Sequence, residues 1–315
     1  MTETNNKSPE FHDLVIIGAG PAGLAAGIYA ARDKQDVVLL EKLSPGGQVL
    51  TTDLVENYPG FADGISGFEL MDSIRRQAER FGLNILSGEV KGVDFKGGRR
   101  RLILASGSME ARAVIVATGA QPRKLGVEGE ELLTGRGVSY CATCDGPFYR
   151  DVEVAVIGGG DTAVQEAVFL TRFASRVYVI HRRDELRATK IIQERAFAND
   201  KIEVIWNTIP LSVEGDQGVE GLRLKNLKTG KESDLKVDGV FVLVGTSPVT
   251  GFLKDSVDLD GQGFINVDRR QETSVKGVFA AGDVTSETPR QIATAVGEGV
   301  TAILSAEGYL EAEEG

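Results

Sequence analysis

Cys141 and Cys144 are the only two thiols in this chain of 315 residues, and they stand in the order Cys-Ala-Thr-Cys. Thiols at that spacing can close into a disulfide that opens again on mild reduction, and Asp145 follows at once as a group able to exchange a proton with a leaving thiolate. Half of a zinc site, or a pair of inert buried thiols, fits the same residues. Zinc needs two more ligands, and with only His12 and His181 elsewhere these must be carboxylates or come from a second subunit. The expectation is a redox disulfide and no metal, with His12 structural and His181 structural or a minor nucleotide contact. A secreted disulfide framework uses more cysteines, more widely spaced.

Glycine is the other excess, with 39 of 315 residues against a usual share of about 7%. Gly18, Gly20, Pro21, Ala22 and Gly23 follow the apolar run Leu14–Ile17 and lead into a stretch of small and apolar residues at helical spacing. A second apolar run, Val37–Leu40, ends at Glu41. This is the strand–turn–helix–strand plan in which glycines let a pyrophosphate approach the backbone at a helix N-terminus. An acid about 20 residues on binds a ribose 2′-hydroxyl, so Glu41 suits FAD or NAD. The plan recurs at Val154–Ile157, with Gly158, Gly160, Asp161 and Thr162 in the turn, but its second strand, Val177–Ile180, ends in His181, Arg182 and Arg183. Guanidinium groups there, joined by Arg187 one helical turn on, suit a 2′-phosphate and therefore NADPH. The economical reading is FAD at the first turn, NADPH at the second, and the cysteine pair as the next electron carrier.

The elements that position these residues divide the chain into domains. Ala113–Ala117, ending in Thr118 and Gly119, and Val240–Val244, ending in Gly245, read as short buried strands leaving into loops on either side of the second unit. The expected fold is α/β, with two Rossmann-like dinucleotide-binding domains: an NADPH domain at 120–248 carrying the cysteines, inserted into an FAD domain formed by 1–119 and 249–315. Residues 1–12 are expected to be loose, and the acidic end EAEEG solvated. A net charge of −11 argues against nucleic acid or an anionic membrane as partner. No apolar run reaches the length of a membrane span and the start lacks an export signal, so a cytoplasmic protein is expected.

CATCDG at 141–146, GAGPAG at 18–23, GGGDTA at 158–163, HRRDELRA at 181–188 and AAGDV at 280–284 resemble, in order and spacing, the low-molecular-weight (bacterial-type) thioredoxin reductases. GGQ at 46–48, ENYPGF at 56–61, ATG at 117–119 and RQIATA at 290–295 extend the resemblance over nearly the whole chain. It implies FAD contacts from Glu41, Gly47, Gln48, Asn57, Thr118, Gly119, Gly282, Asp283, Arg290, Gln291 and Ala293. It gives Arg182, Arg183 and Arg187 to the NADPH phosphate. It makes Cys144 the thiol nearer the flavin, Cys141 the one that attacks the disulfide of a thioredoxin or thioredoxin-like partner, and Asp145 the acid. It also implies a homodimer, and domains that turn about the crossovers near Gly119–Pro122 and Gly245–Pro248. Departures are Pro147 where the family often has an aromatic that helps dock the partner, and Leu186 where Phe is frequent; Arg136 matches a basic docking position. A dithiol oxidase passing electrons to oxygen, and a nucleotide or redox sensor without turnover, are the alternatives; retention of the arginines speaks against the first.

Overall fold

The computed structural model describes residues 10–52, 54–253, 255–286 and 289–314. The chain forms two compact units, Met1–Gln121 with Ser247–Gly315, and Pro122–Thr246. Residues 1–9 of the segment expected to be loose lie outside the described residues, as does Gly315 of the acidic end. Glu10–His12 are not loose: the first strand runs Glu10–Ile17, because its beginning pairs in parallel with Met109–Ala111.

In the first unit that strand lies inside a seven-stranded sheet. Val37–Glu41 and then Asn84–Ser87 add in parallel on one side, and Gly107–Val116 on the other. The end of Gly107–Val116 pairs in parallel with Val278–Ala280, while its beginning pairs antiparallel with Arg100–Leu104, which in turn pairs with Val90–Asp94. Side chains alternate across a sheet, so Leu14 and Ile16 join the helices Pro21–Arg32, Gly67–Arg80 and Ile292–Glu314 in one core. Val15 and Ile17 join Val38, Leu40, Leu253 and Val284 in the other. Covering both faces is why these strands read as unbroken apolar runs.

The second unit repeats the plan with a five-stranded parallel sheet, in the order Ile202–Ile205, Arg176–Ile180, Glu153–Ile157, Gly239–Val242, Val138–Ser139. The helices Asp161–Leu170 and Lys190–Phe197 cover one face. The antiparallel strands Thr208–Glu214, Gly221–Asn226 and Glu232–Lys236 supply Val213, Leu222, Leu224 and Leu235 to the core on the other. The segments leaving Gly119 and Gly245, expected as loops, form the short paired strands Ala120–Pro122 and Thr246–Pro248. Both are edge strands of a two-stranded sheet, where a proline's missing N–H is tolerated. Among the described residues no helix is long and apolar enough to cross a membrane.

Candidate active site

The first glycine turn permits no other residue at two positions. A Cβ on Gly18, whose φ is +103°, would lie 2.4 Å from the Ala117 carbonyl oxygen, and one on Gly23 would lie 1.8 Å from the Gly18 oxygen. A Cβ on Gly20 would meet nothing within 4 Å, so the turn is open there and closed on both flanks. Gly20 is the N-cap of Pro21–Arg32 and gives the helix no side-chain cap. Glu41 reaches this turn from the end of its strand: Oε2 accepts the Ala19 N–H at 2.8 Å and Oε1 the Leu43 N–H at 2.9 Å. A carboxylate has acceptor capacity beyond those two bonds. The segment 46–48 docks alongside, with the Gly46 N–H donating to the Ala19 oxygen at 2.8 Å. Gly47 sits so that its Cβ would be 3.2 Å from the Gly20 Cα, and the Gln48 amide donates to the Ala120 carbonyl.

The other flavin-side positions implied by the resemblance collect in the same unit. Thr118 donates to the Val249 carbonyl, whose own residue donates to the Gly119 oxygen, which ties the two chain segments together at 2.8 and 3.0 Å. Asn57 Nδ2 donates to Gln291 Oε1 at 3.1 Å. Ala22 has a packing role: its methyl lies under Gly282, and its oxygen would be 2.1 Å from a Cβ on Gly299. The Arg290 guanidinium lies 4.6 Å above the Phe264 ring, and Ala293 is exposed in the first turn of the last helix. Asp283 is half-buried, and that burial pushes its carboxyl up to about 6; Arg290 pulls it down and Glu298 pushes it further up.

The second turn follows the same rules with a different rim. Gly160 is an uncapped helix N-cap, and a Cβ there would meet nothing within 4 Å. A Cβ on Gly159 would lie 2.3 Å from the His181 ring, which is buried and bonds through Nδ1 to the Gly158 carbonyl at 2.9 Å. Burial lowers the His181 pKa, so the neutral ring donates from Nδ1. Arg187 and Ala188 donate their backbone N–H groups to the Gly159 oxygen at 2.7 and 3.1 Å, and Leu186 and Ala188 are buried. That anchoring leaves Arg182, Arg183 and Arg187 exposed on one short loop beside the turn, with no ion pair among the described residues. Asp161 bonds to that loop, accepting the Thr189 N–H at 2.6 Å, and Thr162 is exposed.

Cys141 and Cys144 are joined in a disulfide, with Cα atoms 5.3 Å apart. Cys141 follows the strand Val138–Ser139 and is the N-cap of the short helix Ala142–Asp145, its Sγ accepting the Cys144 N–H at 3.2 Å. Asp145 is half-buried in that turn, Phe148 is exposed just beyond it, and Pro147 is half-buried between them. Arg136 is exposed. His12 bonds through Nδ1 to Asp36 at 2.8 Å. Among the described residues no group of three or more His, Cys, Asp or Glu could hold a metal ion.

A disulfide in the same unit as a nucleotide-type glycine turn, with a second such turn elsewhere in the chain, defines the class: oxidoreductases that exchange electrons between a nucleotide and a disulfide. The model of the pyridine nucleotide-disulphide oxidoreductase family matches residues 12–299. The thioredoxin reductase of Streptomyces coelicolor is 49% identical over 306 residues, covering 96% of this chain and 95% of that protein. That of Mycolicibacterium smegmatis is 49% identical over 308 residues, covering 98% and 99%. The solved thioredoxin reductase of Streptococcus pyogenes superposes with a TM-score of 0.91 at 47% identity, covering 97% of this chain and 100% of that one. The chain belongs to the thioredoxin reductases of the pyridine nucleotide-disulphide oxidoreductase family.

Three carboxylates escaped the reading of the sequence. Glu298 accepts the Gly282 N–H at 2.7 Å and acts on Asp283. Glu130, 2% exposed, accepts the Leu125 and Gly126 N–H groups and the Tyr140 hydroxyl beside Cys141; the hydroxyl is pushed up to about 12, mainly by its own burial. Glu166 accepts the Ala142 N–H between the cysteines at 2.9 Å. Glu166 alone had a visible signal: it is a carboxylate in register with the apolar positions Ala163 and Leu170 of one helix.

Proposed function

We propose that electrons pass from NADPH to FAD, then to the Cys141–Cys144 disulfide, and from the resulting dithiol to the disulfide of a thioredoxin or thioredoxin-like protein. The observation that carries this is the contrast between two turns of one design. The first has Glu41 at its rim, the second three exposed arginines, and the second belongs to the unit that bears the cysteines. FAD fits the first unit: its pyrophosphate over Gly20, a ribose on Glu41, and the rest of the dinucleotide among Gly47, Gln48, Asn57, Thr118, Gly119, Asp283, Arg290, Gln291 and Ala293. NADPH fits the second, with its pyrophosphate over Gly160 and its 2′-phosphate on Arg182, Arg183 and Arg187, where an acid in place of the arginines would repel it.

Bound FAD supplies a hydride acceptor that returns two electrons to a disulfide. Two electrons and one proton open the Cys141–Cys144 bond to one thiol and one thiolate. The Cys144 N–H pointing at Cys141 Sγ favours the thiolate on Cys141. Cys141 Sγ attacks one sulfur of the partner disulfide and expels the other as a thiolate, which takes a proton held at Asp145. Cys144 then gives its proton to the Asp145 carboxylate and attacks Cys141 Sγ, expelling the partner's second sulfur as a thiolate and re-forming the Cys141–Cys144 bond. The exposed Phe148 next to this turn supports docking of a protein partner there. A homodimer belongs to the same proposal, and sedimentation velocity tests it. The reductase relatives do not favour the dithiol oxidase or the sensor.

The test is NADPH consumption with an oxidised thioredoxin, for the parent and for Cys144→Ser. Turnover in the parent and none in the variant is expected. No turnover in the parent while NADPH still bleaches the flavin would overturn thioredoxin as the acceptor, and Pro147→Phe would then be the next protein to assay.

A further inference from the structure

The helix Asp161–Leu170 buries Ala163, Val164, Ala167 and Leu170, and Glu166 stands on that apolar stripe. A carboxylate there costs free energy unless a donor meets it, and burial raises the Glu166 carboxyl above its ordinary value. The donor is one backbone amide, the N–H of the fully buried Ala142, 2.9 Å from Glu166 Oε2. Ala142 directly follows Cys141 and opens the turn that ends at Asp145. At the other end of the turn, a Cβ on Gly146 would lie 3.1 Å from Leu170 and 3.3 Å from Phe169, both from the same helix. The redox turn is therefore laid along this helix, held at its start by a carboxylate–amide bond and at its end by close packing.

We propose that Glu166 is the positioning residue of the redox pair: by holding the Ala142 amide it fixes the turn that closes the Cys141–Cys144 bond. Its hydrogen bond goes to the backbone between the sulfurs, so it acts through Ala142. The closed disulfide ring pins that amide on Glu166, whereas the opened dithiol leaves the turn free to relax away. The bond thus stabilises the disulfide form more than the dithiol and keeps the pair strongly reducing. The inference rests on the redox role given to the cysteines above.

The flavoprotein is equilibrated over a series of dithiothreitol ratios, its thiols are trapped by alkylation, and the disulfide fraction is read by mass, for the parent, Glu166→Ala and Glu166→Gln. Glu166→Ala is expected to move the balance about tenfold toward the dithiol, the usual weight of leaving one buried N–H without its acceptor and about 30 mV for two electrons. Glu166→Gln keeps an oxygen acceptor and is expected to stay within about twofold of the parent. A parent-like balance in Glu166→Ala, or an equal shift in both variants, overturns the proposal. A second measurement needs no variant: the Ala142 amide in the parent is expected to exchange its hydrogen about tenfold faster in the dithiol than in the disulfide form. Equal protection in both forms overturns it as well. Neither experiment contains thioredoxin, so a wrong partner leaves both standing; a pair that dithiothreitol never opens refutes the relay itself.

Discussion

Replacing Asp283 with Asn is expected to stabilise the flavin-free protein and to weaken its hold on flavin. Burial raises this carboxyl from 3.8 to about 6 in the folded chain. The folded state keeps the proton that the unfolded state gives up, so the associated stability is complete below pH 3.8 and is lost as the pH rises through 6. The loss amounts to about 1 kcal/mol at pH 4.5 and about 3 kcal/mol at pH 7. Asn has nearly the same shape and no charge to desolvate, so it recovers about 3 kcal/mol at pH 7 and only about 1 at pH 4.5.

Calorimetry of the flavin-stripped protein reads this, following the transition that added FAD raises, since two compact units need not melt together. For a unit of this size the gain at pH 7 corresponds to roughly 6–12 °C. In the loaded protein the variant loses a charged acceptor, so more flavin should appear in the filtrate on concentration. A gain of the same size at pH 4.5 and pH 7, or none at either, would refute the account of Asp283 as a carboxylate held at an energetic cost for its ligand.

Three further outcomes are expected. Arg183→Ala should raise the KM for NADPH about tenfold to a hundredfold, the range for one lost charge-assisted bond, and leave that for NADH nearly unchanged; steady-state kinetics with both nucleotides reads the ratio. Gly23→Ala puts a Cβ 1.8 Å from the Gly18 oxygen, so the purified protein should lack flavin absorbance. Cys144→Ser should abolish thioredoxin turnover, while its flavin still bleaches when NADPH is added.

Local sequence carried the two turns because each depends on short-range rules: an apolar strand, glycines where a Cβ would strike backbone, and the residue that ends the next strand. The placement of Glu41 and the Arg182–Arg183 pair at strand ends was readable for the same reason, since the helix and strand between set their distance from the turn. Glu130 was not readable, because it sits in an irregular segment with no helix or strand period, where the chain folds the Leu125 and Gly126 N–H groups and the Tyr140 hydroxyl back onto one carboxylate. The same holds for Glu10–His12, which become strand only because Met109–Ala111 lie beside them. Asp161 shows how a motif residue can face elsewhere: it sits in the glycine motif, yet its carboxylate holds Thr189 and so helps to fix the loop that presents the arginines.

The order of the second sheet explains why the cysteines precede the glycine turn in the chain. Val138–Ser139, Gly239–Val242, Glu153–Ile157 and Arg176–Ile180 lie side by side and run parallel. Cys141, Gly245, Gly158 and His181 therefore all leave from one carboxyl edge, where open α/β sheets bind their ligands. The helix Asp161–Leu170 begins at that edge with an open N-terminus at Gly160. Lys201 Nζ steadies the segment just beyond its other end, bonding to the Thr171 and Ala174 carbonyls at 2.9 Å each. Between the two ends Glu166 holds the amide inside the redox turn. One helix thus borders both the second glycine turn and the disulfide, because the cysteine turn follows directly on a strand of this sheet.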